Sequence, residues 1–219
     1  MKKHMIYSKE KRTFITGVDV TTEWMLPWFV DNFKKHNKKE NLVVYDFGMS
    51  ADLSGMYGAR KIKTRCKSWF KKPATMLDAA KQSEQVCWID SDCEVLGDIS
   101  GIWDHIVPNK LLMGEDKPWS RRQGTKWHNS GVVAFQDTPR ILKEWDMNCA
   151  VPQQRGDQEV LHWMIGDNAI MKMSFIEDLP NKYNVLRIQK EDGSEPKKKL
   201  ILHHTGRKGK LHIERLING

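Results

Sequence analysis

With 219 residues, 39% of them hydrophobic and nine of them tryptophan, the chain can bury a sizeable core as one large domain or two small ones. No stretch approaches the length of uninterrupted apolar sequence that a membrane-spanning helix needs, and the basic start MKKHMIYSKEKRTF lacks the apolar run of a secretory signal. The formal charge of +8 admits nucleic acid, an anionic surface or a phosphate-bearing small molecule, yet no arginine-rich tail, RNP-like segment or zinc-finger spacing supports nucleic acid.

Residues 1–11 are expected to form a poorly ordered or peripheral segment. Arg12 to Thr16 reads as a first strand, followed by the polar turn GVDVTT. Leu26, Phe29, Val30 and Phe33 fall on one face of a helix, with Pro27 in its first turn. Asn41 to Phe47 is a second strand, so the chain opens strand, helix, strand, the pattern of an α/β sheet with parallel crossovers. Residues 51–72 read as loop with at most a short strand. A helix is expected from Pro73 to about Lys81, a strand from Gln85 to Ile89, a short helix near 99–106 and a strand at 110–114.

Residues 115–128 (EDKPWSRRQGTKWH) are polar and basic, the composition of a long surface loop. Gly131 to Phe135 is a strand. Thr138 then reads as an N-cap with Pro139 at the first helical position, opening a helix to about Asn148. A second helix runs from Asp157 to Ile165. Strands at 183–188 and 200–204 flank Glu191-Asp192-Gly193-Ser194, whose Asp-Gly is a hairpin signal. No internal repeat or linker divides the chain, so one domain is expected. Cys66, Cys87, Cys93 and Cys149 show no CxxC pairing or zinc spacing, which fits a reduced, cytoplasmic chain.

The chemistry begins where the apolar run Val86 to Ile89 meets Asp90-Ser91-Asp92. In an extended segment, residues two apart share a face, so the two carboxylates would sit roughly 6–7 Å apart at the strand end. Both stay ionised at low cost only with a cation between them, and such oxygen ligands suit Mg²⁺, Mn²⁺ or Ca²⁺. The plain alternative is that Asp90 starts a solvated turn and Asp92 caps the helix after it. Three further segments accompany the pair: WHNSGVVAF, RGDQEVLHW and LILHHTGRKGK.

The order IDSD, HNSGVVAF, GDQ, YNVL, HHTGRKGK, preceded by TFITGVD, resembles the glycogenin-type family 8 of retaining glycosyltransferases over about residues 12 to 210. The resemblance implies a single GT-A (Rossmann-like) domain with a mixed central sheet flanked by helices. It implies Mn²⁺, with Mg²⁺ possible, held by Asp90, Asp92 and His203. His204 is the adjacent alternative, but neighbours in a strand face opposite ways. A mixed oxygen and imidazole set modestly favours Mn²⁺.

The donor implied is a UDP-sugar, UDP-glucose or UDP-galactose by family tendency, and the acceptor is unspecified: saccharide, protein or small molecule. Donor contacts are implied for Thr16, Asp19, Lys72, Ser91, Gly206, Lys208 and Lys210. Lys71 and Arg65 compete with Lys72, Arg207 with the two C-terminal lysines, and Asp46 is a further contact or a solvated turn. The family's K-P-W is absent, and Gly209 stands where its lysine would be. Asn129 is implied to face the transferred sugar, and Asp157 and Gln158 to sit beside the anomeric carbon. Trp119, Trp127 and Trp163 are candidate sugar platforms, more simply core residues, and Arg121 and Arg122 belong to a candidate donor or acceptor loop.

Other readings fit less well. A haloacid dehalogenase-type phosphatase would want a later acidic pair, and a sugar-1-phosphate nucleotidyltransferase a glycine-rich first loop in place of GVDVTTEW. A non-enzymatic basic module binding a polyanion, or an inactive sugar-nucleotide binder, is the remaining alternative. Polyanion binding would survive chelation and weaken with salt, whereas donor binding would need the metal.

Overall fold

The computed structural model describes residues 10–219; the expectation for 1–11 lies outside them except for Glu10 and Lys11, which belong to the first strand. In chain order the elements are β1 (Glu10–Val18), α1 (Leu26–His36), β2 (Leu42–Asp46), α2 (Ala51–Met56), β3 (Arg60–Lys61), α3 (Lys72–Ala80), β4 (Ser83–Ile89) and β5 (Cys93–Val95). Next come β6 (Leu111–Glu115), α4 (Lys117–Gln123), β7 (His128–Gln136), α5 (Arg140–Cys149), α6 (Asp157–Ile165), α7 (Ala169–Phe175) and β8 (Ile176–Asp178). The chain closes with β9 (Val185–Leu186), α8 (Arg187–Glu191), β10 (Ile201–His203) and α9 (Gly206–Asn218).

A seven-stranded mixed sheet runs β3-β2-β1-β4-β7-β6-β8, and a small sheet runs β5-β10-β9. β1 pairs in parallel with both β2 and β4, while β7 is antiparallel to β4 and β6. Central strands covered on both faces need apolar residues on both sides, which explains why Phe14-Ile15 and Val86 to Ile89 are continuous runs rather than alternating ones. Successive residues enter opposite layers. Ile15 and Trp88 pack with Met76 of α3, Trp145 of α5 and Leu161 of α6. Phe14 and Cys87 pack with Leu26, Phe29 and Phe33 of α1.

The connection from β1 leads through α1 to β2 on one side, whereas β4 lies on the other. The strand order therefore reverses between β1 and β4, and the crevice beyond their carboxyl ends is where open α/β sheets collect ligands. β4 delivers Asp90 there.

Several expectations are corrected. Residues 51–72 hold α2, β3 and a 3-10 turn at Ser68–Lys71; α2 buries no residue, so no apolar period marks it. The loop 115–128 contains α4, whose first turn is capped by the Asp116 side chain accepting from the Trp119 N–H at 3.0 Å. Pro139, not Thr138, is the N-cap of α5, with an extended ψ of 138°. The segments around Glu191-Asp192-Gly193-Ser194 are not a hairpin: β9 and β10 run parallel, and α8 comes directly after β9. α7 and β8 were not anticipated, and the basic C-terminal run is the start of α9.

Candidate functional site

The crevice is a cleft of about 540 Å³ whose lining includes Asp19, Lys72, Asp90, Ser91, Asp92, Asn129, Asp157, Gln158, Gly206 and Lys210. Ten of the thirteen candidate residues thus meet there directly. His203 is buried against it. The expected extended Asp-Ser-Asp segment is instead a tight turn, with the Cys93 N–H donating to the Asp90 carbonyl at 3.0 Å. The turn still aims both carboxylates at one imidazole. His203 Nε2 lies 3.1 Å from Asp92 Oδ1 and 3.8 Å from Asp90 Oδ2.

The other ring nitrogen has partners of its own. His203 Nδ1 is 3.1 Å from Asn129 Oδ1 and 3.2 Å from Asn184 Oδ1. Asn129 Oδ1 also accepts from the Gly131 N–H at 2.9 Å and from Asn184 Nδ2 at 3.0 Å, which fixes it as oxygen. Two amide oxygens require Nδ1 to carry a proton, so Nε2 is the nitrogen that faces the aspartates and would offer a lone pair to a cation whenever the ring is neutral. A side chain at Gly131 would overlap the His203 ring, so this approach needs glycine. Asp92, Cys93 and His203 also place potential ligand atoms within 4.8 Å of one another. The residues present therefore fit a divalent cation.

His204 faces elsewhere. Its Nε2 pairs with Glu94 Oε2 at 3.0 Å, as expected for adjacent residues at the end of a strand.

Lys72, at the start of α3, is buried and ties the cleft together. Its Nζ lies 3.0 Å from Asp90 Oδ1 and 3.1 Å from Asp157 Oδ2, and donates to the Ser130 carbonyl at 3.1 Å. Burial opposes its charge, but Asp157 and Asp90 more than reverse that and raise its pKa. Burial pushes the Asp90 carboxyl up, against Lys72 and with the help of Asp92. Burial acts on Asp92 too, yet His203, with Lys210 and Lys72 beyond, holds its carboxyl below the usual range. Burial likewise disfavours a charged His203, and Asp92 outweighs it to raise that pKa. Trp88 donates its indole N–H to Asp90 Oδ1 at 2.6 Å, fixing the carboxylate in place.

A polar wall faces this cluster. Asn129 Nδ2 donates to Gln158 Oε1 at 3.1 Å, and Gln158 Nε2 donates to Asp116 Oδ2 at 3.3 Å. Gln158 Oε1 also accepts the Ser130 N–H at 3.2 Å. The α6 start is anchored by the Trp145 indole N–H, which donates to the Asp157 carbonyl at 2.8 Å.

Three candidates lie apart or differ in manner. Thr16 is fully buried, and the cleft is lined by the next residue, Gly17. Lys208 lines a different cleft. Asp19 does reach the site, but its carboxylate is held by Thr21 and Thr22; burial raises its pKa and these hydrogen bonds bring it below the ordinary value. Asp46 is engaged by the Gly48 and Met49 N–H groups and the Ser54 hydroxyl, and Lys71 donates to the Phe47 carbonyl. Trp127 stacks on His162 at 4.1 Å and Trp119 packs edge-on against Trp127, away from the cleft, as Trp163 also is. Arg121 pairs with Asp192 on the surface.

The sequence reading missed Trp69, Trp88, Ser130, Arg155 and Glu159, which line the cleft, and the supporting Asn184 and Asp116. Trp88 and Ser130 stood inside motifs already singled out. Nothing local marked Trp69.

No protein-family model and no curated protein sequence matches the chain. Solved structures do. The galactosyltransferase LgtC, in complex with donor and acceptor sugar analogues, superposes with a TM-score of 0.65 at 12% identity, covering 94% of each chain. The glycosyltransferase GlyE of Streptococcus pneumoniae TIGR4 does so at 0.64 and 16% identity, over 90% of this chain and 55% of that one. A glycosyltransferase involved in glycosylation of the major capsid of PBCV-1 gives 0.58 and 15% identity, over 95% of this chain and all of its own. The likeness shows the fold: a GT-A architecture with a mixed seven-stranded central sheet flanked by helices.

Proposed function

We propose that this chain is a single-domain, metal-dependent retaining glycosyltransferase of the family 8 type, moving a hexose from UDP-glucose or UDP-galactose to an acceptor. The observation that carries the reading is the His203 arrangement: Nδ1 is engaged by two amide oxygens, which leaves Nε2 to share a cation with Asp90 and Asp92. Its position in the crevice beyond β1 and β4 and the likeness to sugar transferases support the same reading. Mn²⁺ suits the donors better than Mg²⁺ because one is an imidazole. A cytoplasmic setting is part of the proposal, and no helix among the described residues is long and apolar enough to cross a membrane.

When bound, the cation supplies neutralisation of the charge that develops on the departing diphosphate. Lys210 lines the same cleft and contributes a second positive charge to that leaving group. Lys72 holds Asp90 and Asp157 at fixed separation and keeps both carboxylates oriented. Asn129 and Gln158 form a hydrogen-bonded pair that can donate to and accept from sugar hydroxyls. Gln158 Oε1 already accepts two N–H groups, which weakens it as a nucleophile and favours a role steadying positive charge at the anomeric carbon. Gly206 allows the chain to pass close to the cleft at a φ of +72°.

Incubation of the full chain with UDP-glucose and UDP-galactose in Mn²⁺, followed by proton NMR of the released hexose, tests the reading. The α-anomer should appear first and mutarotate afterwards. Initial release of the β-anomer would overturn retention, and no metal-dependent turnover of either donor would overturn the hexose assignment.

A further inference from the structure

A second concave site takes no part in the reaction above. His204 lines a cleft of about 480 Å³ between α8 and α9, together with Arg187, Lys190, Lys208, His212 and Arg215. Glu191 is the one carboxylate among the lining residues, and it is already paired with Arg187. Among the described residues, Lys190, Lys208 and Arg215 make no direct ion pair, and Glu94 beside His204 is the nearby carboxylate that acts on Lys190 and His212.

His204 is buried, and with Nε2 committed to Glu94 its Nδ1 has no hydrogen-bond partner among the described residues. The His204 and His212 rings lie 5.1 Å apart. Partial burial, then His204, Lys190 and Arg215, hold His212 below its ordinary pKa against the pull of Glu94, which reports the same crowding of positive charge. Like charges gathered in a concavity repel one another unless an anion joins them.

We propose that this α8–α9 cleft binds a soluble phosphate ester, at a site separate from the nucleotide cleft. Phosphate matches the donor set because it carries up to two charges and accepts several charge-assisted hydrogen bonds from guanidinium and ammonium groups at once. The volume suits a phosphorylated sugar rather than a bare ion. Leu202 and Leu211 offer the apolar surface against which a sugar ring packs. A headgroup fixed in a bilayer is the other source of phosphate, but a concavity of about 480 Å³ favours a ligand that can enter it whole. The chain separates the two sites sharply: Lys208 faces this cleft and Lys210 the other, with Gly209 between them packed so close to the His204 carbonyl that no side chain fits there.

The test is calorimetric titration of glucose 1-phosphate into the full chain at low salt in EDTA, which removes any metal-dependent binding in the nucleotide cleft. The unmodified chain should bind, Lys190→Ala combined with Arg215→Ala should weaken binding by about tenfold or more, and Lys210→Ala should leave it within about twofold. Circular dichroism verifies that each variant is folded. Absence of binding, or binding lost through Lys210→Ala and untouched by the double variant, would overturn the proposal. Flotation with phosphatidylglycerol vesicles forms the second arm. Vesicle binding that needs Lys190 and Arg215 while glucose 1-phosphate fails to bind would overturn the soluble ligand in favour of a headgroup.

Discussion

His203 Nδ1 lies 3.1 Å from the amide oxygen of Asn129, and that contact leaves Nε2 as the ring nitrogen that faces Asp92. Asn129 therefore has two duties, since its amide nitrogen joins Gln158 across the cleft. Replacing it with leucine keeps the volume and removes the acceptor. Loss of such an orienting partner costs about 10–100-fold in metal affinity. Mn²⁺ binding to Asn129→Leu, monitored by electron paramagnetic resonance, should weaken within that range, and unchanged affinity would mean that Asn184 alone orients the ring.

Lys72 is the positive counterweight to two carboxylates. Lys72→Met leaves Asp90 and Asp157 without it, and breaking a buried pair by removing one partner costs about 3–5 kcal/mol. Urea denaturation should show a loss of that order. Because the uncompensated charge then lies beside the cation site, Mn²⁺ should recover more stability in the variant than in the unmodified chain. Equal stabilisation of the two would separate Lys72 from the site.

His162 supplies a pH test away from the cleft. Burial, against the hydrogen bond to the His128 backbone, pushes its pKa from 6.5 down to about 4. The unfolded chain takes up this proton near pH 6.5 and the folded chain only near pH 4. Stability is therefore complete above about 6.5 and is lost as pH falls toward 4, by about 3 kcal/mol from this group. Guanidinium midpoints at pH 7.5 and 5 should differ more for the unmodified chain than for His162→Gln. Identical pH dependence in both would contradict the assignment.

Gly209 stands where the resembled family carries its lysine, and the structure gives a steric reason: a Cβ there would run into the His204 carbonyl. Gly209→Ala should destabilise by about 1–3 kcal/mol, the usual cost of overpacking, and thermal unfolding measures it. A neutral outcome would show that α9 can shift its first turn and that a lysine could be accommodated.

The parts of the fold readable in advance were those whose apolar residues form a clear pattern, periodic or continuous. α1 shows it in Leu26, Phe29 and Phe33, all buried, and β4 in its unbroken apolar end. α2 buries nothing and left no pattern. α4 did leave one, an aspartate cap with Pro118 in the first turn and Gly124 after the last, but its polar face reads as loop. The Asp-Gly at 192–193 comes after α8 rather than turning a hairpin, because β9 is only two residues long and pairs with β10 in parallel. The family resemblance pointed to Asp90, Asp92 and His203, which the structure brings together, yet it could not show that Asp90 to Cys93 is a turn. Nor could it show that Asn184 supports His203, since both facts depend on contacts between distant segments.

Calorimetric titration of UDP, first with Mn²⁺ and then with EDTA, tests the central claim most directly, with Asp92→Asn as the companion variant. UDP should bind in Mn²⁺, lose that binding in EDTA, and fail to regain it in the near-isosteric variant. Binding that is equally strong in EDTA, or absent under both conditions, would contradict a cation held by Asp90, Asp92 and His203 as the seat of a nucleotide diphosphate.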